Sequence, residues 1–386
     1  MKLWGRFREA DAGFASFSPN EKRCWGKAPY VSSPSTRRHH NPKQVGQDSL
    51  REAEDLVRAW RALPAGAEAV LATVVVVRGS VYRRPGARML LVAGNHIAGS
   101  VSGGCLESDL AETAWTRTAE GPVRVAYDST APDDALYGFG LGCNGVSEVL
   151  LQRLPPDGGP LAVLERVIRE RHPAMLATVI TPGSRLGEWW TPLLTHESRT
   201  HIAICEGVEI LVESLVPPPS LVVFGAGHDA APLVRIAKEV GWRVTVIDHR
   251  PVFAEASRLP EADEVMVATP RKAQESIAIE PGSAVVLMTH SYRHDLELLG
   301  WLLKSPAAYV GQLGPLLRTE RLLRDLDFVP TEAERGLLHA PIGHDLGAES
   351  PDEIALAIVA EIQAFFAGRA GGSLNGRREP LHPFPI

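Results

Sequence analysis

Residues 221–250 constrain the fold more than any other part of this 386-residue chain. A short apolar run over residues 221–224 is broken by the Gly-Ala-Gly of residues 225–227. Apolar residues then recur at helical spacing until Gly241, and a second β-branched run ends at Asp248. The order strand, glycine turn, helix, strand and acid is typical of the first βαβ unit of a dinucleotide-type fold. The sequence therefore predicts a Rossmann-like parallel sheet in the C-terminal half.

The glycine turn of this unit is a candidate phosphate site. Gly225 permits the tight turn, and Gly227 removes a Cβ so that a phosphate can approach the backbone at a helix N-terminus. Asp248 follows about 20 residues later, where a carboxylate meets a ribose hydroxyl in such folds. We count the neighbouring His228 and Arg250 with this site. The alternative is that the glycines only make a close turn and Asp248 only caps one.

Two more strands are predicted beyond this unit, at residues 264–268 and 284–288. Both are apolar on both faces, as parallel strands covered by helices are. Thr289 and His290 follow the second strand directly. Because the carboxyl ends of parallel strands line the ligand crevice, these two residues are candidates for the same nucleotide site. Simple capping of the next helix is the competing interpretation.

Composition excludes several classes of protein. A hydrophobic content of 45%, a charged content of 22% and a formal charge of −6 describe a globular chain without an electrostatic nucleic-acid partner. No run approaches the ~18 apolar residues of a membrane helix, and no secretory leader is recognisable. The four cysteines contain no C-x-x-C pair, which predicts neither a disulfide framework nor a zinc site. We therefore expect a cytoplasmic protein with no membrane partner.

The chain divides into four segments by pattern. Residues 1–48 lack a sustained period and are predicted to be a disordered extension, and residues 369–386 a disordered tail. The three prolines at 217–219 mark a linker, because such a run cannot continue a helix or a sheet. Residues 49–215 are thus predicted to form one α/β domain and residues 216–368 the Rossmann-like domain.

Two glycine-rich loops, each holding one cysteine, fall in the first domain. Residues 99–108 contain three glycines and three serines around Cys105, and helical spacing follows, so the thiol is predicted at a helix N-terminus. Residues 137–145 contain four glycines around Cys143. A backbone with so little side-chain bulk can wrap a ligand. The alternative is two tight turns in which small cysteines fill space.

The chain resembles the XdhC/CoxI family, the accessory proteins of xanthine dehydrogenase and related molybdenum hydroxylases. The resemblance covers about residues 50–365 in the family's order of motifs. It implies an N-terminal XdhC/CoxI domain, a C-terminal Rossmann domain, and a role in binding, protecting and inserting molybdenum cofactor. The matching stretches are residues 79–89, 99–107, 140–145, 224–250, 288–290, 309–314 and 342–361.

The resemblance also implies ligands and partners. The cofactor is a pterin dithiolene with a phosphate or a dinucleotide, so thiolates suit its metal end and N–H groups or arginines suit its phosphate. Implied partners are an apo molybdenum hydroxylase, a cysteine desulfurase and a second copy of the chain in a homodimer. The candidate cofactor ligands are Ser102, Gly103, Gly104, Cys105, Glu107, Cys143, Arg84 and Arg88.

Two other functions remain open at the level of sequence. One is an NAD(P)-dependent oxidoreductase that uses the Rossmann domain, with Asp248 on the ribose. The other is a thiol enzyme that carries a persulfide on Cys105. A cofactor chaperone needs no turnover of its own, so the leading interpretation is a protein that is not an enzyme.

Overall fold

The computed structural model describes residues 50–92, 95–129, 145–192 and 200–377. They divide into two compact units, with the boundary between Pro217 and Pro218. The predicted extension, residues 1–48, lies outside the described residues. The described part of the predicted tail, residues 369–377, contains no helix or strand. Within the described ranges, no helix combines the length and apolar character that a membrane crossing requires.

The N-terminal unit contains two antiparallel sheets, one of five strands in the order β3-β2-β1-β5-β4 and one of four strands in the order β7-β6-β9-β8. Its described elements are α1 (Leu50–Arg61), β1 (Ala69–Gly79), β2 (Arg88–Val92), β3 (Asn95–Gly99), α2 (Glu107–Arg117), β4 (Val123–Asp128), β5 (Gly145–Arg153), α3 (Pro160–Glu170), β6 (Ala174–Val179), β7 (Trp189–Trp190), β8 (His201–Cys205) and β9 (Val208–Leu215). The predicted mixture of helices and strands is confirmed.

Strand β1 is the centre of the N-terminal unit. Its residues are buried along most of its length, as their unbroken apolar sequence predicts. Val70 and Val74 point to the side covered by α2, where they pack with Leu110. Leu71 points to the opposite side and packs with Leu56 of α1 and with residues of α3, β6 and β9. Both faces of the strand are therefore covered. Because α2 packs on one of these faces, the loop that leads into α2 is held beside the sheet.

The C-terminal unit contains one parallel sheet of six strands in the order β12-β11-β10-β13-β14-β15. Its elements are β10 (Ser220–Phe224), α4 (Ala230–Glu239), β11 (Arg243–Asp248), β12 (Glu264–Val267), α5 (Pro270–Ser276), β13 (Ala284–Leu287), α6 (Tyr292–Leu302), β14 (Tyr309–Gln312), α7 (Leu316–Arg324), α8 (Glu332–Arg335), β15 (Leu338–His339) and α9 (Pro351–Ala367). The predicted Rossmann-like sheet is confirmed.

The order in which successive strands are added to this sheet reverses at β10. Strands β11 and β12 lie on one side of β10, and β13 to β15 lie on the other. Helices α4 and α9 cover one face, and α5, α6 and α7 cover the other. A crevice opens at such a reversal, outside the carboxyl ends of the strands. The turns after β10 and β13 therefore form the candidate site of this unit.

Candidate functional site

The loop between β3 and α2 has a buried base and an exposed apex. Val101 and Ser102 are buried, whereas Gly103, Gly104 and Cys105 are exposed. Cys105 carries a free thiol and lies two residues before the first residue of α2. Among the described residues, nothing accepts a hydrogen bond from the N–H of Gly103 or of Cys105. The apex therefore presents a thiol and two free donors together.

Tyr82 borders this apex. Its side chain is 71% exposed, and a Cβ on Gly103 would lie 3.8 Å from its ring. A Cβ on Gly104 would meet nothing within 4 Å. The side of the apex next to Gly103 therefore carries an aromatic face, and the side next to Gly104 is open to solvent.

The carboxylate of Glu107 organises the base of the loop. Its Oε1 accepts hydrogen bonds from the N–H groups of Val101 at 3.1 Å and Ser102 at 2.8 Å, and the Ser100 hydroxyl lies 2.8 Å away. Its Oε2 accepts from the Ser102 hydroxyl and from the Leu106 N–H at 3.2 Å. Glu107 and Ser102 are predicted cofactor ligands, but their polar atoms are occupied inside the loop. We therefore assign them the role of holding the apex in place.

This arrangement predicts a pH-dependent contribution to stability. Burial raises the pKa of Glu107, but hydrogen bonds from Ser102 and Ser100 outweigh burial and hold the pKa below its ordinary value. A carboxyl of this kind stabilises the folded state above its unfolded pKa, and the stabilisation is lost as the pH falls through the folded pKa. We expect Glu107→Gln to lower the free energy of unfolding by about 2 kcal/mol at neutral pH. Urea denaturation at neutral pH and at pH ~3, below the ordinary pKa of a glutamate, should show the difference shrinking in acid, and a constant difference would contradict this assignment.

Arg88 is a predicted cofactor ligand whose side chain is engaged between the two sheets of the N-terminal unit. Its side chain is buried, with Nη2 donating to both carboxylate oxygens of Glu213 at 2.9 and 2.7 Å and Nη1 donating to the Gly86 carbonyl at 2.7 Å. The pair joins β2 of the five-stranded sheet to β9 of the four-stranded sheet. A guanidinium that is buried and paired in this way turns no free group toward a ligand, and the ligand role of Arg88 stays a prediction. Arg84 is only partly buried.

The second predicted glycine–cysteine loop lies largely outside the described residues. Residues 130–144, which include Cys143, are not described. Cys205 is buried at the end of β8 and is disulfide-bonded, which its sequence context does not predict. Of the cysteines that the structure describes, Cys105 is thus the one with a free thiol. In the same ranges, no three His, Cys, Asp or Glu side chains are placed to hold a metal ion.

The turn after β10 touches the end of β13. Gly225 has a φ of +117°, and a Cβ there would lie 2.3 Å from the Met288 carbonyl oxygen. Gly227 has no such backbone requirement, but a Cβ on it would lie 2.5 Å from Oδ1 of Asp229. The bare backbone expected at Gly227 is therefore present, and a carboxylate of the chain itself lies over it.

Asp248 is buried and fully engaged. It accepts hydrogen bonds from the Ala226 N–H at 2.8 Å, from the Arg250 N–H at 2.9 Å, and from Nε and Nη2 of Arg250 at 3.0 and 2.8 Å. Burial raises the pKa of Asp248, but the Arg250 side chain and these N–H groups lower it to about 2. Arg250 also lies 4.0 Å from the centre of the Phe253 ring. In this arrangement Asp248 fastens the glycine turn to Arg250, as the capping alternative expects, and its acceptor positions are filled.

His290 is the exposed residue of the turn after β13. Its backbone has a φ of +58°, and its Nε2 lies 2.8 Å from Oδ2 of Asp229. The hydroxyl of Thr289 donates to the buried Asp295 at 2.5 Å, so this side chain is engaged within the unit. His228 is exposed, with its ring edge against Phe253. His290 and His228 are therefore the predicted nucleotide-site side chains that solvent reaches most readily.

Comparison with known proteins identifies relatives along most of the chain. Residues 62–128 match the model of the XdhC and CoxI family, and residues 221–362 match that of the XdhC Rossmann domain. A Bacillus subtilis protein, named as a probable subunit of xanthine dehydrogenase, is 33% identical over 76% of this chain and 92% of its own length. This chain belongs to the XdhC and CoxI family.

Two further family relatives are informative. The Escherichia coli molybdenum cofactor insertion chaperone PaoD is 26% identical over 79% of this chain and 85% of its own length. A crystal structure described as a xanthine dehydrogenase from Bacillus halodurans superposes with a TM-score of 0.69 at 31% identity, over 84% of this chain and 98% of that one. The fold of this XdhC and CoxI family member is therefore shared with a solved relative.

Several site residues of this family member are not found by reasoning from sequence. Asp229 is detectable in principle, because an acid at the N-terminus of the helix after the glycine turn competes with an anionic ligand for the positive end of the helix dipole. Tyr82 lies in a recognised stretch but has no periodic signal. The buried Asp295 pairs with Arg318 of α7 at 2.7 Å, and this contact joins residues whose sequence spacing carries no information about it.

The close approach at Gly225 can be tested directly. We expect Gly225→Ala to lower the free energy of unfolding by about 3 kcal/mol, since the added methyl group combines positive-φ strain with overlap of the Met288 carbonyl. Gly282→Ala is the matched control, because Gly282 has a φ of +86° with nothing within 4 Å of a Cβ. Chemical denaturation should show the larger loss at Gly225, and equal losses would mean that the overlap is relieved without cost.

Proposed function

We propose that this protein is an accessory chaperone that binds molybdenum cofactor at the apex of the Cys105 loop. It holds the cofactor for sulfuration and inserts it into a molybdenum hydroxylase of the xanthine dehydrogenase or aldehyde oxidase type. The observation that carries the proposal is an exposed free thiol on a loop whose base is fixed by the Glu107 carboxylate. Membership of the XdhC and CoxI family, with a relative named as a cofactor insertion chaperone, supports it.

The residues around the apex fit the chemistry of this cargo. The thiol of Cys105 is a soft ligand of the kind that suits molybdenum and its sulfur environment. The ring of Tyr82 offers a flat aromatic face to a pterin, and the free N–H groups of Gly103 and Cys105 offer donors to an anionic oxygen. When bound, the cofactor supplies the molybdenum centre that a client hydroxylase uses.

The shape of the loop is consistent with delivery to another protein. A partner protein can contact a cofactor that is bound at an exposed apex. A cofactor enclosed in the core could be transferred only after partial unfolding. The backbone under the apex is fixed by hydrogen bonds to Glu107, so binding orders few additional groups. We assign cargo binding to residues 49–215.

The Rossmann-like segment, residues 216–368, is assigned to a phosphate-bearing ligand or nucleotide of its own. Its glycine turn at Gly225 and Gly227 and the exposed His228 and His290 are the groups that carry this part of the proposal. Cytoplasmic location, a homodimer and a cysteine desulfurase as sulfur donor complete the proposed setting.

An NAD(P)-dependent oxidoreductase is the weaker alternative. Its central residue would be Asp248, yet both oxygens of this carboxylate already accept hydrogen bonds from Ala226 and Arg250. A ribose hydroxyl would have to displace one of these bonds. The geometry therefore favours cargo binding over hydride transfer.

The decisive experiment is a cofactor analysis of the purified full chain. Protein is prepared from a host that makes molybdenum cofactor, and the small molecules that it releases are identified by mass analysis. We expect molybdenum cofactor, its transfer to an apo-hydroxylase, and no oxidation of NADPH. Protein that releases no pterin would overturn the proposal. NADPH turnover would favour the oxidoreductase, and a persulfide on Cys105 without any pterin would favour the thiol enzyme.

A further inference from the structure

Three basic side chains at the carboxyl edge of the parallel sheet are each paired with a carboxylate of the chain itself. They follow β11 and β13 or lie in the first turn of α7, at the edge where ligands of such sheets bind. The pairs are Asp229 with His290 at 2.8 Å, Asp248 with Arg250 at 2.8 Å, and Asp295 with Arg318 at 2.7 Å.

Two of these pairs are fixed by burial. The carboxylates of Asp248 and Asp295 are only 1% exposed and accept further hydrogen bonds from neighbouring groups. Removing either cation would leave a buried, uncompensated charge, which is strongly unfavourable. The pair of Asp229 and His290 is different, because the two side chains are 19% and 62% exposed. His290 is therefore the basic side chain that a ligand can take over at the lowest cost.

The carboxylate of Asp229 occupies the place expected for a phosphate. Asp229 is the N-cap residue of α4, yet its side chain makes no capping hydrogen bond. Its Oδ1 lies over Gly227, 2.5 Å from the position of a Cβ there, and its Oδ2 contacts His290. His290 has a φ of +58°, a conformation that costs free energy outside glycine and that often marks a functional site.

We propose that Asp229 sets the ligand specificity of the glycine turn by standing in for a ligand phosphate against His290. Inorganic phosphate is rejected, because it would have to displace this carboxylate without other contacts to offset the cost. An organic phosphate or diphosphate ester is accepted, because its remaining atoms contact the crevice while its phosphate takes over His290. The inference rests on the proposed function in that the Rossmann-like segment takes a phosphate-bearing ligand.

Calorimetric titration of the full apo chain with ADP tests the proposal. We expect Asp229→Asn, which keeps the shape but removes the charge, to bind ADP about tenfold more tightly or better, since the His290 imidazole no longer pairs with a carboxylate and contacts the ADP phosphate instead. The matched control is Glu261→Gln, an exposed residue at the amino end of β12 and thus at the opposite edge of the sheet. This control should bind ADP as the unaltered protein does.

A second variant separates the specific pairing of Asp229 with His290 from a general effect of removing a charge. His290→Asn tolerates the positive φ, so it should fold. In that background Asp229→Asn should gain much less affinity for ADP, because the imidazole that Asp229 engages is gone. An Asp229→Asn protein that melts normally but binds ADP no better overturns the proposal, as does an equal gain in both backgrounds. Because ADP is the probe, this role of Asp229 can be confirmed even if no pterin is found on the protein. The role can also be refuted while the protein still binds molybdenum cofactor.

Discussion

Replacing Cys105 with serine is expected to remove most of the molybdenum cofactor that copurifies with the protein, a loss of more than about tenfold. Serine keeps the size of the side chain but replaces a soft sulfur with a hard oxygen, which is a poor ligand for a metal in a sulfur-rich environment. Cys105 is exposed, so the free energy of unfolding should change by no more than about 0.5 kcal/mol. Cofactor content by mass analysis and urea denaturation measure the two effects separately.

Ser108 provides two matched controls for this experiment. It is exposed and lies in the first turn of α2, one turn of chain from Cys105. Ser108→Ala should retain the cofactor, because it changes a surface hydroxyl near the apex without touching the thiol. Ser108→Cys combined with Cys105→Ser tests whether a thiol at a neighbouring position is sufficient for binding. We expect that this double variant does not regain the cofactor. Full cofactor retention by Cys105→Ser would remove the thiol from the binding site and leave the proposal without its central contact.

The sequence predicts the C-terminal unit more completely than the N-terminal unit, for a physical reason. The glycine turn and the apolar strands are local signals, and each appears in the structure within a few residues of its predicted place. Parallel strands buried on both faces are also recognisable one at a time. The pairing of antiparallel strands in the N-terminal unit is set by contacts between distant residues, such as Arg88 and Glu213, which are 125 positions apart.

The sequence does not predict which groups the polar side chains of the site contact. Glu107 and Asp248 both stand next to glycine-rich turns, where an acid is equally suited to a ligand and to the N–H groups of the turn itself. In the structure both acids bind the turn. Asp229 shows the reverse case, since an acid with no capping bond is left over the glycine that a phosphate would need. Such choices depend on distances of a few ångströms that periodicity does not encode.

Arg88→Met should be among the most destabilising single changes in the N-terminal unit, at about 3–5 kcal/mol. The variant leaves the Glu213 carboxylate buried without its cation, in a position where a Cβ on Gly86 would already lie 2.8 Å from Oε1. The pair joins the two antiparallel sheets, so the loss should appear in unfolding of the whole unit. Arg61→Met, which breaks the solvent-exposed pair with Glu165, is the control and should have little effect.

Combining Arg88→Met with Glu213→Leu decides between a structural and a ligand role for Arg88. Two apolar side chains of similar volume remove the uncompensated charge, and such replacements are often neutral or stabilising. We therefore expect the double variant to recover most of the stability and to retain molybdenum cofactor, because the Cys105 apex is untouched. Recovered stability with lost cofactor would instead mean that the guanidinium contacts the cargo, and Arg88 would belong to the binding site despite its burial.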